Sequence, residues 1–357
     1  MEKYIVIIVL IFFFLLALEI IYGIITKNNT YRLNDSISSM SQGAISQMVG
    51  FCTPLFQIGL YTTIAPHISI WTPPNFYNQW YGLILVVIFY DFCDYWLHRV
   101  SHQSAIFWAA HVVHHQSQCF NLSTALRQES FYPIMGWYFY LPLALVGIPP
   151  EQFAIAGIVV LYYQFWIHTE HIGKLGWFDK VFSSPSNHRV HHAINNRYID
   201  KNFGAILIVW DRLFGTFQEE DKAEPCIYGT VEPLNSWNPI WSIGSVFYGL
   251  CIRAYRSKSW KDKIQVFLRA PDWLPHDNEL EKKSTLQRQD LYNPAMNIKQ
   301  KISACILFLL IIFADFIFVW YADDLSMLIK VSMLLFNLLG LWIIGLVMSM
   351  NRGNLKV

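Results

Sequence analysis

The chain has 357 residues, 54 % of them hydrophobic and only 14 % charged, with a formal net charge of +1 and a mean hydropathy of +0.31. A water-soluble domain carries about a quarter charged residues, so a soluble globule is excluded, and the near-neutral balance gives no basis for nucleic-acid binding. Aromatics at 17 %, with 14 Trp, suit rings settled at membrane–water interfaces.

A helix crosses a bilayer with roughly 20 mostly apolar residues. Residues 4–25 meet that length and are read as a retained anchor rather than a cleaved leader. Glu19 lies inside it, as an acid reaching for the span's end or as a functional group. After a 26–44 loop, further spans are expected at 45–66 and 80–97. Residues 131–148 and 151–167, joined by Pro149 and Pro150, read as a helical hairpin. Residues 302–321 and 327–349 read as a second, giving seven spans. The six cysteines are scattered without a C-x-x-C pair and read as small buried hydrophobes, not as disulfides or a metal site.

Most of the 26 Lys and Arg fall within 172–301. There "RAYRSKSWKDK" (253–263) alternates basic and aromatic residues as an interfacial helix does. The 67–79 loop has no Lys or Arg. Positive-inside reasoning places 26–44, the histidine-rich segments and 172–301 in the cytoplasm and the N-terminus opposite. The expected fold is all-α: a polytopic membrane helical bundle whose cytosolic helical cap carries a histidine-rich dinuclear metal site. Its regions are the N-terminal transmembrane helices 1–97, a histidine core 98–217 containing the 131–167 hairpin, a cytosolic or interfacial segment 218–301, and the C-terminal transmembrane hairpin 302–357.

Five of the 12 histidines fall in "HRVSHQSAIFWAAHVVHH" (98–115), and "HRVHH" returns at 188–192. Residues three and four apart share a helix face. His98 with His102, His111 with His114 and His115, His188 with His191 and His192, and His168 with His171 therefore form four groups; His67 and His276 stand outside. A lone buried histidine is ordinarily satisfied by one hydrogen bond. Four clusters would repel one another if protonated and would lack partners if buried; divalent metal removes both problems. Eight or nine imidazoles exceed one ion's coordination and point to two. Imidazole alone leaves zinc, iron, copper and nickel open. Each box ends or follows a predicted span, so a lipid would reach the metals sideways from the bilayer. Asp94 and Asp91 are candidates to accept the outer N–H of a ligand, or to pair with Arg99 or Arg127. Arg127 and Gln128 are candidates for a head group or cofactor, or for structural bonds. Glu170, Asn187, Asn202 and Asp211 are further supporting candidates. Trp96, Phe107, Trp108, Phe165 and Trp166 are candidates to exclude water.

H-x3-H, H-x2-H-H and a distant H-x2-H-H on a membrane chain resemble the fatty acid hydroxylase/sterol desaturase superfamily. "DFCDYWLHRVSH", "NLSTALRQ", "LYYQFWIHTE" and "HRVHHAINNRYIDKNFGAILIVWDRLFGTF" resemble its alkylglycerol-ether-cleaving branch. That resemblance implies two iron ions, O2 as oxidant, a membrane lipid substrate hydroxylated at its ether carbon, and tetrahydrobiopterin as reductant. It implies His98, His102, His111, His114, His115, His168, His188, His191 and His192 as ligands, with His171 a weaker tenth. Gln103 and Gln118 stand where that branch carries acids. The chain has no heme domain, nucleotide fingerprint or Fe–S cysteine pattern, so electrons come from a diffusible donor or another protein. The alternatives are a sterol or fatty-acyl hydroxylase or desaturase, and a membrane metal-binding or transport protein without turnover.

Overall fold

The computed structural model describes residues 2–53, 56–71, 75–275 and 291–349. His276 lies outside them. The described residues form helices joined by irregular segments; among them the only strand-like pairings are two isolated β-bridges, Phe182 with Leu207 and Ala193 with Tyr228. Five helical stretches are long and apolar enough to cross a membrane: Ile7–Ile25, Leu33–Ile68, Trp80–Gln103, Ile298–Asp324 and Met327–Ser349.

Helix α1 (Glu2–Ile25) packs on α15 (Ile298–Tyr321), which forms a hairpin with α16 (Met327–Ser349). The α15–α16 pair and α2 (Leu33–Cys52) enclose an apolar core that includes Ile37, Ile45, Phe308 and Leu341. α2 corrects the expected 26–44 loop. Its opening run "LNDSISSMSQ" lacks the apolar pattern of a span, yet Asn34, Asp35, Ser36, Ser38, Ser39, Ser41 and Gln42 are all buried. Short polar side chains weaken a helix exposed to water. Here tertiary bonds hold them, as when Gln42 donates to Pro239 O (2.9 Å).

The second core joins α3 (Phe56–Ile68), α4 (Trp80–Gln103) and α9 (Pro150–Trp166) through Tyr61, Val86, Tyr90, Phe153 and Val160. The 131–148 arm of the expected hairpin is not one helix. It breaks into α7 (Tyr132–Gly136), a 3-10 turn (Trp137–Tyr140) and α8 (Leu141–Leu145). Pro142, which follows the 3-10 turn, has no N–H to continue a helix from it, while Pro133 stands in the first turn of α7, where proline begins a helix. The arm still reaches the far end of the bundle, where Leu145 O accepts from Ile70 N (3.0 Å) and Ile148 O from the Tyr61 hydroxyl (2.8 Å). α9 then returns to His168. Neither arm is among the five apolar stretches, so against the expected seven spans the described residues hold five by length and composition.

The cap consists of α5 (Ala105–His115), α6 (Leu122–Ala125), α10 (Phe178–Val181), α11 (Pro185–His191), α12 (Val209–Phe214), α13 (Pro239–Arg256) and α14 (Trp260–Leu268). Asp91 on α4 fixes it from below. Its carboxylate accepts from Ile206 N (2.7 Å), Leu207 N (3.0 Å) and Trp210 Nε1 (2.8 Å). Asp211 repeats the device, accepting from Phe203 N (2.8 Å), Gly204 N (2.7 Å) and Thr216 Oγ1 (2.6 Å). Together they fix the 203–211 segment against the end of α4.

Candidate metal centre

The four histidine segments converge. His98, His102, His111, His115 and His191 form one group, and His114, His168, His188 and His192 another; all nine are buried, and within each group one ring nitrogen per residue lies within 4.8 Å of the others. The H-x2-H-H spacing divides between them. In α5 the i, i+4 pair His111 and His115 enters the first group while His114 turns to the second. In α11 and the residue after it, His188 and His192 enter the second while His191 turns to the first. The groups adjoin, with the rings of His115 and His192 stacked 4.4 Å apart.

The outer nitrogens are anchored. The Nδ1–H of His98 donates to Phe203 O (2.8 Å), that of His114 to Arg127 O (3.1 Å), that of His168 to Gln164 O (2.7 Å) and that of His191 to Lys201 O (2.9 Å). His111 Nδ1 meets Glu129 Oε1 at 2.7 Å, and His102 Nδ1 lies 3.4 Å from Asp200 Oδ1. A carbonyl only accepts, so His114 and His168 each carry their proton on Nδ1 and present a bare lone pair at Nε2. Those two Nε2 atoms face each other at 3.2 Å. Two lone pairs at that distance repel; a cation between them turns the contact into ligation. The buried Nε2 atoms of His102 and His191 likewise have no protein partner. The donor set fits two divalent metal ions held by neutral imidazoles.

Electrostatics agree. Burial pushes His114 down to about 3, and burial followed by neighbouring imidazoles holds His111, His115, His188, His191 and His192 well below the ordinary histidine range. Buried, neutral rings are in the protonation state that binds metal.

The other expected residues take different places. His171 is in neither group; its ring packs edge-on against Tyr22 at 5.1 Å. Asp94 touches no imidazole nitrogen but accepts from the Tyr140 hydroxyl (2.6 Å). The Arg127 guanidinium is committed to protein partners: its Nη1 donates to Ser38 (3.1 Å) and its Nη2 to Gln116 (3.1 Å) and Ser242 (2.9 Å). Asn187 is a fastener, donating to Asp179 O and Phe182 O (both 3.1 Å), and Glu170 is exposed. Gln103 is exposed, and Gln118 accepts from Tyr292 N (2.9 Å). Glu19 is buried rather than reaching for the span's end. It accepts from Leu122 N (2.8 Å) and from the hydroxyls of Tyr31 and Thr169, tying α1 to the His168 turn.

Sequence reasoning missed Glu129, Phe120, Tyr132 and Phe203. Phe120 stacks on His168 (5.5 Å), Tyr132 lies 5.3 Å from His111, and Phe203 lies 5.2 Å from His102. Trp108, which was expected, lies 5.0 Å from His102. These rings pack around the imidazoles of both groups.

A cavity of about 470 Å³ opens beside both groups, with His98 and His111 of one and His114 and His168 of the other in its wall. It runs between α1, α2, α9 and α15 past Phe12, Met48, Leu161 and Phe316, so an apolar chain in the bilayer has a path to the histidines.

Residues 83–216 match the fatty acid hydroxylase family. The chain is 37 % identical over 272 residues to the alkylglycerol monooxygenase of Homo sapiens, covering 74 % of this chain and 58 % of that protein. It is 38 % identical over 271 residues to the alkylglycerol monooxygenase of Danio rerio, covering 73 % and 58 %. A Delta(7)-sterol 5(6)-desaturase of Aspergillus fumigatus is 29 % identical over 140 residues, 39 % of each chain. The chain thus spans less than two thirds of the length of these relatives. No solved structure matches.

Proposed function

We propose, for a chain that belongs to the fatty acid hydroxylase family, that it is a membrane monooxygenase using two iron ions and O2 to hydroxylate a lipid, with the ether carbon of an alkylglycerol as the target. The observation that carries this is the pairing of inward-facing, unprotonated imidazole nitrogens with an apolar cavity that leads from them into the bundle. The nine grouped histidines are the ligands. A transport role is not favoured, because the histidines gather at the ends of α4 and α9 and in the cap, whereas transporters place their sites near mid-bilayer.

Bound iron would supply O2 activation against an unactivated C–H bond, for which no side chain has the chemistry. The chain's own residues do the rest. The carbonyls of Phe203, Arg127, Gln164 and Lys201 fix four rings with Nε2 inward, so little reorganisation accompanies binding. Phe120, Tyr132, Phe203 and Trp108 keep water from the reacting space. The cavity holds the alkyl chain so that the carbon next to its polar end lies at the histidines. Hydroxylation of that carbon gives a hemiacetal, which falls apart to a fatty aldehyde and glycerol. The two electrons that the reaction needs come from outside the chain, from tetrahydrobiopterin or a protein donor, reaching a site that faces the cytoplasm. Among the described residues, those of 98–217 form the catalytic core, those of 1–97 and 302–349 its membrane frame, and those of 218–301 a cytosolic and interfacial cover.

Membranes carrying the iron-loaded protein, incubated aerobically with a chain-labelled alkylglycerol and tetrahydropterin, are expected to release labelled fatty aldehyde, and an iron chelator to abolish it. Product from a sterol or acyl lipid alone would end the ether reading. Absence of product from every lipid would end the monooxygenase reading.

A further inference from the structure

The histidines leave unexplained a polar end to the cavity. Asp94, one turn before His98, stands in its wall with Ser46, Gln128 and Glu129. Each is partly engaged with protein. Asp94 Oδ1 accepts from Tyr140 (2.6 Å), Glu129 Oε1 faces His111 Nδ1 (2.7 Å), Gln128 Nε2 donates to Ala125 O (2.6 Å), and Ser46 Oγ donates to Glu129 O (3.1 Å). The oxygens that remain are acceptors. Among the described residues, no Lys or Arg lines the cavity. Arg127, adjacent in sequence, spends its guanidinium on Val113 O and on Ser38, Gln116 and Ser242.

We propose that this end of the cavity is a head-group subsite for an uncharged lipid bearing hydroxyls, with Asp94 the principal acceptor and Gln128 and Glu129 beside it. A hydroxyl donates to a carboxylate more strongly than to a neutral oxygen. A fatty-acid carboxylate placed there would face two acids with no side-chain cation to offset them. An ether without hydroxyls would leave the Asp94 carboxylate unmatched, the kind of mismatch by which a polar site discriminates. The tail then runs along Phe12 and Phe316. What becomes of the bound lipid rests on the monooxygenase reading above; the binding preference itself is measured without turnover.

The test is equilibrium binding of a tritiated alkylglycerol to the full chain in nanodiscs, competed by a chain-matched ether lacking hydroxyls and by a chain-matched fatty acid. The alkylglycerol is expected to bind tightest. Asp94→Asn, which can still accept from Tyr140, is expected to weaken alkylglycerol about 10- to 100-fold and to leave the hydroxyl-free ether nearly unchanged. If Asp94→Asn fails to fold, Gln128→Leu is read the same way, with a smaller loss confined to the hydroxylated lipid. Equal weakening of both ethers, no change for either, or a fatty acid that binds as tightly as the alkylglycerol would overturn the subsite. Selective binding with no product under any conditions would instead remove the monooxygenase reading and leave the subsite standing.

Discussion

Arg127 gives its guanidinium to α2, α5 and α13, and its carbonyl accepts from the Nδ1–H of His114. Burial pushes its pKa down only to about 10, so it remains charged at neutral pH. Arg127→Met would strand buried acceptors on α2, α5 and α13, and is expected to cost about 3 kcal/mol of stability. A fall in the unfolding midpoint in detergent would register it; the Arg127 carbonyl that accepts from His114 belongs to the main chain and survives the substitution, so metal content per folded chain is expected to change less than stability. The histidines themselves are tested by stoichiometry. Elemental analysis is expected to find two metal ions per chain; His168→Ala should leave about one by emptying the second group, and His98→Ala about one by emptying the first. Loss of both ions from either variant would mean a single shared centre instead of two adjoining ones.

At the scale of elements, periodicity revealed which residues share a face but not what that face meets. The i, i+3 and i, i+4 spacings identified the histidines that converge, because a helix fixes those directions locally. They could not show that each H-x2-H-H splits between two groups, since that depends on how α5 and α11 lie against each other. His171 failed for the same reason: the chain has left the helical path of α9 (Pro150–Trp166) when it reaches that residue. Apolar composition found α1, α4, α15 and α16. It overlooked the start of α2, whose serines are buried by partners distant in sequence, and it overvalued 131–148, where prolines interrupt an apolar run. Glu129 and Phe203 gave no local signal, because their roles come from contacts across the fold. Close packing at α2 gives a clear test. A Cβ on Gly43 would lie 2.6 Å from Leu126 O, whereas one on Gly244 in α13 meets nothing within 4 Å. Gly43→Ala is expected to lose about 1–3 kcal/mol by forcing α2 away from the 122–127 turn. Gly244→Ala should be neutral or stabilising by about 0.5–1 kcal/mol. Chemical unfolding of both variants in one detergent makes the comparison.

At the scale of the whole molecule, side-chain contacts fix which ends of the spans lie together. Glu19, near the end of α1, meets Leu122 and Thr169; Asp35, near the start of α2, accepts from Ser117 (2.8 Å); α4 ends at the first histidine pair; and Gly345, near the end of α16, packs on Asn238 at the start of α13. The contacts of Ile70 with Leu145 and of Tyr77 with Val146 gather at the opposite end. Residues 69–71 and 75–79 therefore lie at one end of the bundle, and 26–32 and the histidine cap at the other. Most of the Lys and Arg fall in 172–301, and the positive-inside rule therefore predicts that the cap side is cytoplasmic. Single cysteines placed at the exposed positions Asn75 and Lys222 in a cysteine-free background report this directly. An impermeant maleimide added to intact cells is expected to label position 75 at once and position 222 only after permeabilisation. The reverse pattern would turn the site outward, and then neither a cytoplasmic pterin nor a cytoplasmic protein could be its reductant.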